Sequence, residues 1–136
     1  MNIYSSNYLE ANYNKDIRLI TFLWKENTSD LSDDIFKKEL QKEIYCIENH
    51  PCDKLLINSK NFTYLISFEV QDWISEEILP AYSRAGIRKI AFVQSDEFIA
   101  QLSIEQTMLR AHLKQRYVSK YFKSKNSAMN WLMDRR

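Results

Sequence analysis

Residues 54–95 read KLLINSKNFTYLISFEVQDWISEEILPAYSRAGIRKIAFVQS, and this stretch decides the fold. It reads as one βαβ unit. Leu55-Leu56-Ile57 is a short apolar strand, and Asn58-Ser59-Lys60-Asn61-Phe62 leaves its end. Val70, Trp73, Ile74, Ile78 and Tyr82 have helical spacing, with Ser67 as the candidate N-cap. Pro80 lacks an N–H and crowds the preceding turn, so the helix is expected to kink or restart there. Gly86 is the chain's single glycine. It is expected just past the helix end, in the left-handed conformation. Ile90-Ala91-Phe92-Val93 is the second apolar strand. Ligands of open α/β sheets sit outside the carboxyl ends of the strands. A site is therefore expected near Asn58-Ser59 and Gln94-Ser95.

Toward the N-terminus, Tyr8 to Asn12 and Ile17 to Lys25 are strand candidates. Asn14-Lys15-Asp16 between them is turn chemistry, so the pair reads as a hairpin. Ile17, Leu19 and Leu23 alternate with Ile20, Phe22 and Trp24, which predicts a central strand covered on both faces. Ser32 is the expected cap of the next helix, with Asp33 and Asp34 in its first turn. Phe36, Leu40, Ile44 and Ile47 follow helical spacing, and Lys37, Lys38, Gln41 and Lys42 fall mostly on the other side. His50-Pro51 should be extended.

Toward the C-terminus, Gln94-Ser95-Asp96-Glu97 reads as the start of a helix of one short turn. Ser103-Ile104-Glu105-Gln106 matches a capping box, which predicts a separate helix to about Lys114 with Ile104, Met108 and Ala111 inward. Tyr117 to Phe122 is the last expected strand. Ser124 caps the final helix, whose inner face is Ala128, Trp131 and Leu132. The order is then ββαβαβαβα. It predicts a single α/β domain over residues 1–136, with a mostly parallel sheet of four to five strands and helices packed on it.

Composition narrows the function classes. The 136 residues are 45% hydrophobic and 27% charged, with a net charge of +1, as in an ordinary globular chain. No apolar run approaches a membrane span, and Met1-Asn2-Ile3-Tyr4-Ser5-Ser6-Asn7 lacks a signal-peptide pattern. A cytoplasmic location is the expectation, with Cys46 and Cys52 as reduced thiols. One glycine rules out the glycine-rich phosphate loops, so no nucleotide cofactor is expected.

Other constellations have bland readings. Cys46, His50 and Cys52 lie close together, but a structural zinc site needs a fourth ligand that no neighbour supplies, so no metal is expected. No glycine flanks a serine to build a nucleophile elbow, and no HExxH occurs. His112 reads as a boundary histidine among Arg110, Lys114 and Arg116. Asp33-Asp34 and Glu76-Glu77 read as solvated helix faces. The chain is therefore not expected to be an enzyme. From Arg110 to Arg136 there are eight basic residues against Asp134 alone. That end reads as solubilising charge; without a nucleic-acid-binding motif, no nucleic-acid partner is expected.

The chain resembles the STAS-like and SpoIIAA-like domains of bacteria, and in particular a divergent branch of small single-domain proteins. The resemblance rests on Leu55 to Phe62, Val70-Gln71-Asp72-Trp73-Ile74, Gly86 to Val93, Leu102 to Gln106, Tyr121 to Ser124 and Ala128 to Leu132. It spans essentially the whole chain, mostly at core and cap positions. It implies a non-catalytic module that binds a protein partner in bacterial signalling or stress regulation. In well-understood members a serine at the start of the helix after the third strand, within an Asp-Ser-Ser-Gly type motif, is phosphorylated to control partner binding. The corresponding positions here are Ile66-Ser67-Phe68-Glu69. Only Ser67 matches, so Ser67 is a phosphorylation candidate beside its role as a cap. The expected binding surface comprises Asn58, Ser59, Phe62, Ser67, Phe68, Gln71 and Trp73. A runner-up reading, by analogy with SEC14-like modules, is a carrier or sensor of a small apolar or lipid-like ligand held near Phe62, Phe68 and Trp73. A third is an uncharacterised enzyme. Homodimerisation through an exposed edge or helix face is compatible with each.

Overall fold

The computed structural model describes residues 1–110 and 115–135. The fold is an α/β sandwich built on one mixed sheet. Its strands are β1 (Asn2–Ser5), β2 (Leu9–Asn14), β3 (Leu19–Trp24), β4 (Lys54–Asn58), β5 (Lys89–Val93) and β6 (Val118–Phe122). They lie side by side in chain order. The pairs β1–β2 and β2–β3 are antiparallel, and β3 to β6 run parallel. The helices are α1 (Asp33–Asn49), α2 (Phe68–Trp73), α3 (Leu79–Arg84), α4 (Phe98–Leu109) and α5 (Lys125–Met133).

The βαβ unit forms as its sequence predicts. Phe22, Ile57, Phe92 and Tyr121 fall in register across four parallel strands. α2 and α3 are two halves of one helix joined by a π turn at Ile74–Ile78. Pro80 is the cause. It cannot donate to the carbonyl one turn back, and its ring needs that carbonyl moved aside. The wider turn does this, with the Leu79 N–H donating to the Ile74 carbonyl. The helix ends at Gly86, with φ of +88°. The Gly86 N–H donates to Ser83 O and the Ile87 N–H to Tyr82 O, both at 3.1 Å, which is a Schellman cap.

Strands advancing in one direction with right-handed crossovers place their helices on one face. The larger core accordingly joins Phe36 and Leu40 of α1, Ile74 and Ile78 of the π turn, Tyr82 of α3 and Ile104 of α4 to Ile20, Phe22, Leu55, Ile57, Ile90 and Phe92. A smaller core on the opposite face joins Leu19, Leu56, Ala91 and Val93 to Ala128 and Leu132 of α5. The expectation that β3 is covered on both sides is met in part: Ile20, Phe22 and Trp24 are buried under the helices, whereas on the other face Leu19 is buried and Thr21 and Leu23 are half-buried.

Two expectations need correction. The sheet has six strands, not four or five, because Asn2–Ser5 adds β1 at the edge. That segment is polar and too short for a readable period. Its anchor is distant: Tyr4 Oη donates to Glu39 Oε1 at 2.5 Å, and Ser6 donates to Glu39 Oε2. Glu39 and Glu43 lie on the buried stripe of α1 with Phe36, Leu40, Cys46 and Ile47, and Tyr4, Ser6 and Tyr82 supply donors to their carboxylates. The second concerns Ser103, which is not a cap. Phe98–Leu109 is one helix, capped by Glu97, whose carboxylate accepts from the Ala100 N–H at 2.7 Å. The Ser103 hydroxyl donates back to Ala100 O at 2.8 Å and accepts from Ile66 N at 3.3 Å. Residues 111–114, including His112 and the expected inward Ala111, lie outside the described residues.

The other caps stand where expected. Ser32, Ser67 and Ser124 accept from the N–H groups of Ile35, Val70 and Ser127. Asn14 Oδ1 accepts from Asp16 N at 3.1 Å, closing the hairpin turn. Among the described residues no helix is long and apolar enough to cross a membrane.

Candidate functional site

The carboxyl edge of the parallel strands is built from the loop after β4, the start of α2, and the β5–α4 connection. The loop is pinned through its own backbone. Asn58 Oδ1 accepts from Lys60 N, Ser59 N donates to Val93 O, and Phe62 N donates to Ser59 O, all within 3.1 Å. Ser95 Oγ donates to Phe62 O at 2.6 Å and accepts from Glu97 N at 3.0 Å. Thr63 N donates to Thr28 Oγ1 at 2.9 Å, and Asp96 N donates to Lys60 O at 3.1 Å. These amides and hydroxyls are already paired within the protein. They neither form an open anion nest nor leave a serine beside a base.

The seven expected site residues separate into an interior and an exterior group. Ser59, Phe62 and Gln71 are buried. Phe62 joins Trp24, Phe36 and Tyr64 in an aromatic cluster with ring centroids 4.6–6.1 Å apart. Gln71 Nε2 donates to Ile66 O at 3.0 Å and Gln106 Oε1 at 3.3 Å, tying α2 to α4. Asn58 is half-buried and closes the turn after β4. Ser67 is exposed, with its hydroxyl on the helix N-terminus. Trp73 is half-buried, with Lys37 Nζ 5.4 Å above its ring. Phe68 is 66% exposed, and the Arg110 guanidinium lies 5.5 Å over it while pairing with Asp72.

Phe68 does not stand alone. Leu65 is 54% exposed and Phe98 74% exposed, and Ile99 and Leu102 also face outward. The Ile66–Ser103 and Gln71–Gln106 hydrogen bonds and the Arg110–Asp72 pair hold α4 beside α2. Leu65, just before α2, and Phe68, on its first turn, are thus exposed at the same edge of the sheet as Phe98, Ile99 and Leu102 on the first two turns of α4. The result is an apolar patch at the carboxyl edge. Sequence reasoning finds Phe68 but misses Leu65, Phe98, Ile99 and Leu102, because splitting α4 at Ser103 hides its outer stripe. The signal was present: in one continuous helix Phe98, Leu102 and Leu109 share a face, with Ile99 beside it, opposite Ala100, Ile104 and Thr107, so apolar residues fall on two sides and one side stays uncovered.

Behind the aromatic cluster lies a cavity of about 60 Å³, lined by residues of the sheet, α1, the π turn, α3 and α4, Ser59 and Phe62 among them. It has room for a few waters and falls far below the several hundred Å³ of typical small-molecule sites. Glu43 of α1 reaches its wall and is fully buried. Burial pushes its carboxyl up to about 8, with the nearby Glu39 adding to the shift and the Tyr82 hydroxyl, 3.2 Å away, opposing it. Glu43 therefore carries a proton at neutral pH. Sequence reasoning misses Glu43, although its place between Leu40 and Ile47 on the apolar stripe of α1 is the signal that marks it.

Cys46 and Cys52 are buried free thiols, both pushed up by burial, Cys52 to about 11. His50 Nδ1 lies 2.8 Å from the Cys46 carbonyl, and its ring meets Tyr13 edge-on. Among the described residues no three His, Cys, Asp or Glu side chains gather as a metal site would require. Comparison of the chain with protein-family models, with curated proteins and with solved structures gives no significant match.

Proposed function

We propose that this chain is a non-catalytic interaction module of the STAS-like kind that docks a protein partner on its carboxyl-edge patch. The observation that carries this reading is the set of outward-facing Leu65, Phe68, Phe98, Ile99 and Leu102, on α4, the start of α2 and the loop before it, tied together by hydrogen bonds from Ile66 and Gln71 to α4. Contiguous apolar surface of this kind, rich in aromatics, marks interaction sites. The rim of the patch is net acidic: Glu69, Asp72, Asp96 and Glu97 are exposed around it, against exposed Lys60 beside Asp96 and Arg110 engaged with Asp72. That charge favours a partner whose apolar side chains are flanked by lysine or arginine, and it disfavours an anionic lipid surface. The resemblance to STAS-like domains adds the setting of bacterial signalling or stress regulation. Ser67, one residue from Phe68, belongs to the same surface.

The test is a matched set of surface variants. A partner identified by affinity capture is purified, and its binding to the chain is titrated. Phe68→Ser with Leu102→Ser should weaken binding by about thirtyfold or more, as for central anchors of an interface. Tyr45→Ser, on the exposed side of α1, should leave it unchanged. Equal binding by both variants would refute the patch.

A further inference from the structure

The opposite end of the sheet carries a second, chemically different feature. At the amino ends of β4, β5 and β6 and the C-terminal end of α5 lies a groove of about 540 Å³. Its lining includes Lys54, Arg88, Lys89 and Arg116, with Val118 and Met133 as exposed apolar wall. Arg116 belongs to the basic C-terminal segment, whereas Lys54 comes from β4, Lys89 from β5 and Arg88 from the position just before β5.

Five cations line the groove, the fifth being Arg135, and two of them are already engaged. Lys89 Nζ donates to Trp131 O at 3.0 Å and Asp134 O at 2.5 Å, so it neutralises the negative end of α5. Lys54 Nζ donates to Ile17 O at 2.9 Å and pairs with Asp53 at 2.8 Å, and Asp53 also meets Arg18 at 3.6 Å. The groove's two carboxylate residues, Asp53 and Asp134, are both engaged. Among the described residues, the guanidiniums of Arg88 and Arg116 have no carboxylate partner. Their backbones are nevertheless fixed. Arg88 N donates to Asp53 O at 2.8 Å and Arg88 O accepts from Val118 N at 2.9 Å, while Arg116 N donates to Ser83 Oγ at 3.1 Å.

We infer that this groove binds a small organic anion bearing two or more negative charges as phosphate or carboxylate groups, held by Arg88 and Arg116. Guanidinium forks match both groups bidentately. The volume lies within the range of small-molecule sites, and a concave groove suits a compact ligand better than an extended polymer. Val118 and Met133 supply surface for the ligand's apolar or planar part.

Calorimetric titration of the whole protein at low salt with adenosine triphosphate, pyrophosphate and citrate tests this. One-site binding of a phosphate compound, of citrate, or of both is expected, and which arm binds separates the two anion chemistries. Arg88→Gln with Arg116→Gln should weaken that binding by about a hundredfold, roughly tenfold for each lost charged fork. Arg88→Lys with Arg116→Lys keeps the charge without the fork and should fall between. Both sites are exposed, so melting temperatures should hold. Three results would overturn the inference: no binding by any of the three anions at millimolar concentration, equal binding by the Gln variant, or binding confined to a polyanion such as polyuridylate.

Discussion

Glu43 offers the sharpest prediction about this fold. Its carboxyl is fully buried and sits at about 8 when folded, against an ordinary value of 4.5. Below the ordinary value, folded and unfolded chains both hold the proton. Between 4.5 and about 8 the unfolded chain has released it and the folded chain keeps it, so each pH unit removes about 1.4 kcal/mol of stability. The accumulated loss is about 3 kcal/mol by pH 7 and about 5 kcal/mol by the folded value, above which it stays constant. Glu43→Gln keeps the shape and an acceptor for Tyr82 Oη but cannot ionise. Its extra N–H donor costs about 1–3 kcal/mol if left unpaired, and that penalty does not vary with pH. The decisive quantity is therefore the difference between the two proteins as pH changes. Urea unfolding followed by tryptophan fluorescence should show the variant gaining about 4 kcal/mol on the parent between about pH 5 and about pH 8. Groups common to both cancel in that difference. A difference that stays flat over this range, or that moves in the parent's favour, would refute a carboxyl kept neutral by burial.

Three further outcomes follow from local geometry. Gly86→Ala places a Cβ that meets nothing within 4 Å, so its effect is that of positive φ alone. It should lower stability by about 1 kcal/mol, and an unchanged melting temperature would count against the cap. Ser67→Ala leaves the Val70 N–H without its 3.3 Å acceptor and should also remove about 1 kcal/mol, readable by denaturant titration. Phe68→Ser alters a largely exposed side chain and should leave the unfolding midpoint within about 0.5 kcal/mol of the parent, in contrast to its effect on binding.

The parts of the fold legible from sequence are those written by local chemistry. Leu55 to Ile57 and Ile90 to Val93 are short apolar runs bounded by turn residues. Ser32, Ser67, Ser124 and Gly86 are the residue types that helix ends require. The illegible parts depend on distant partners. β1 is held by Tyr4 and Ser6 reaching Glu39 more than thirty residues away. Ser103 matches a capping box, yet its hydroxyl serves Ala100 within the same helix and Ile66 from another segment, while Glu97 takes the cap. The candidate site was half legible for a related reason. The loop from Ser59 to Ile66 has no period, so its aromatics could not be sorted into inward and outward. Phe62 and Tyr64 pack the core, whereas Leu65 and Phe68 face solvent. The tethers from α2 to α4, which create the patch, join residues more than thirty positions apart and leave no local trace.

Site-specific photo-crosslinking tests the docking surface most directly. A photoreactive amino acid is placed at Leu102, at the centre of the patch, or at Tyr45, on the exposed flank of α1. In the cell that makes this protein, the Leu102 position should yield one discrete adduct with a second protein. That adduct should disappear when Phe68→Ser is added, and the Tyr45 position should yield none. The same adducts from both positions, or no adduct from Leu102, would contradict the account. An adduct made only of two copies of this chain would replace the separate partner with self-association.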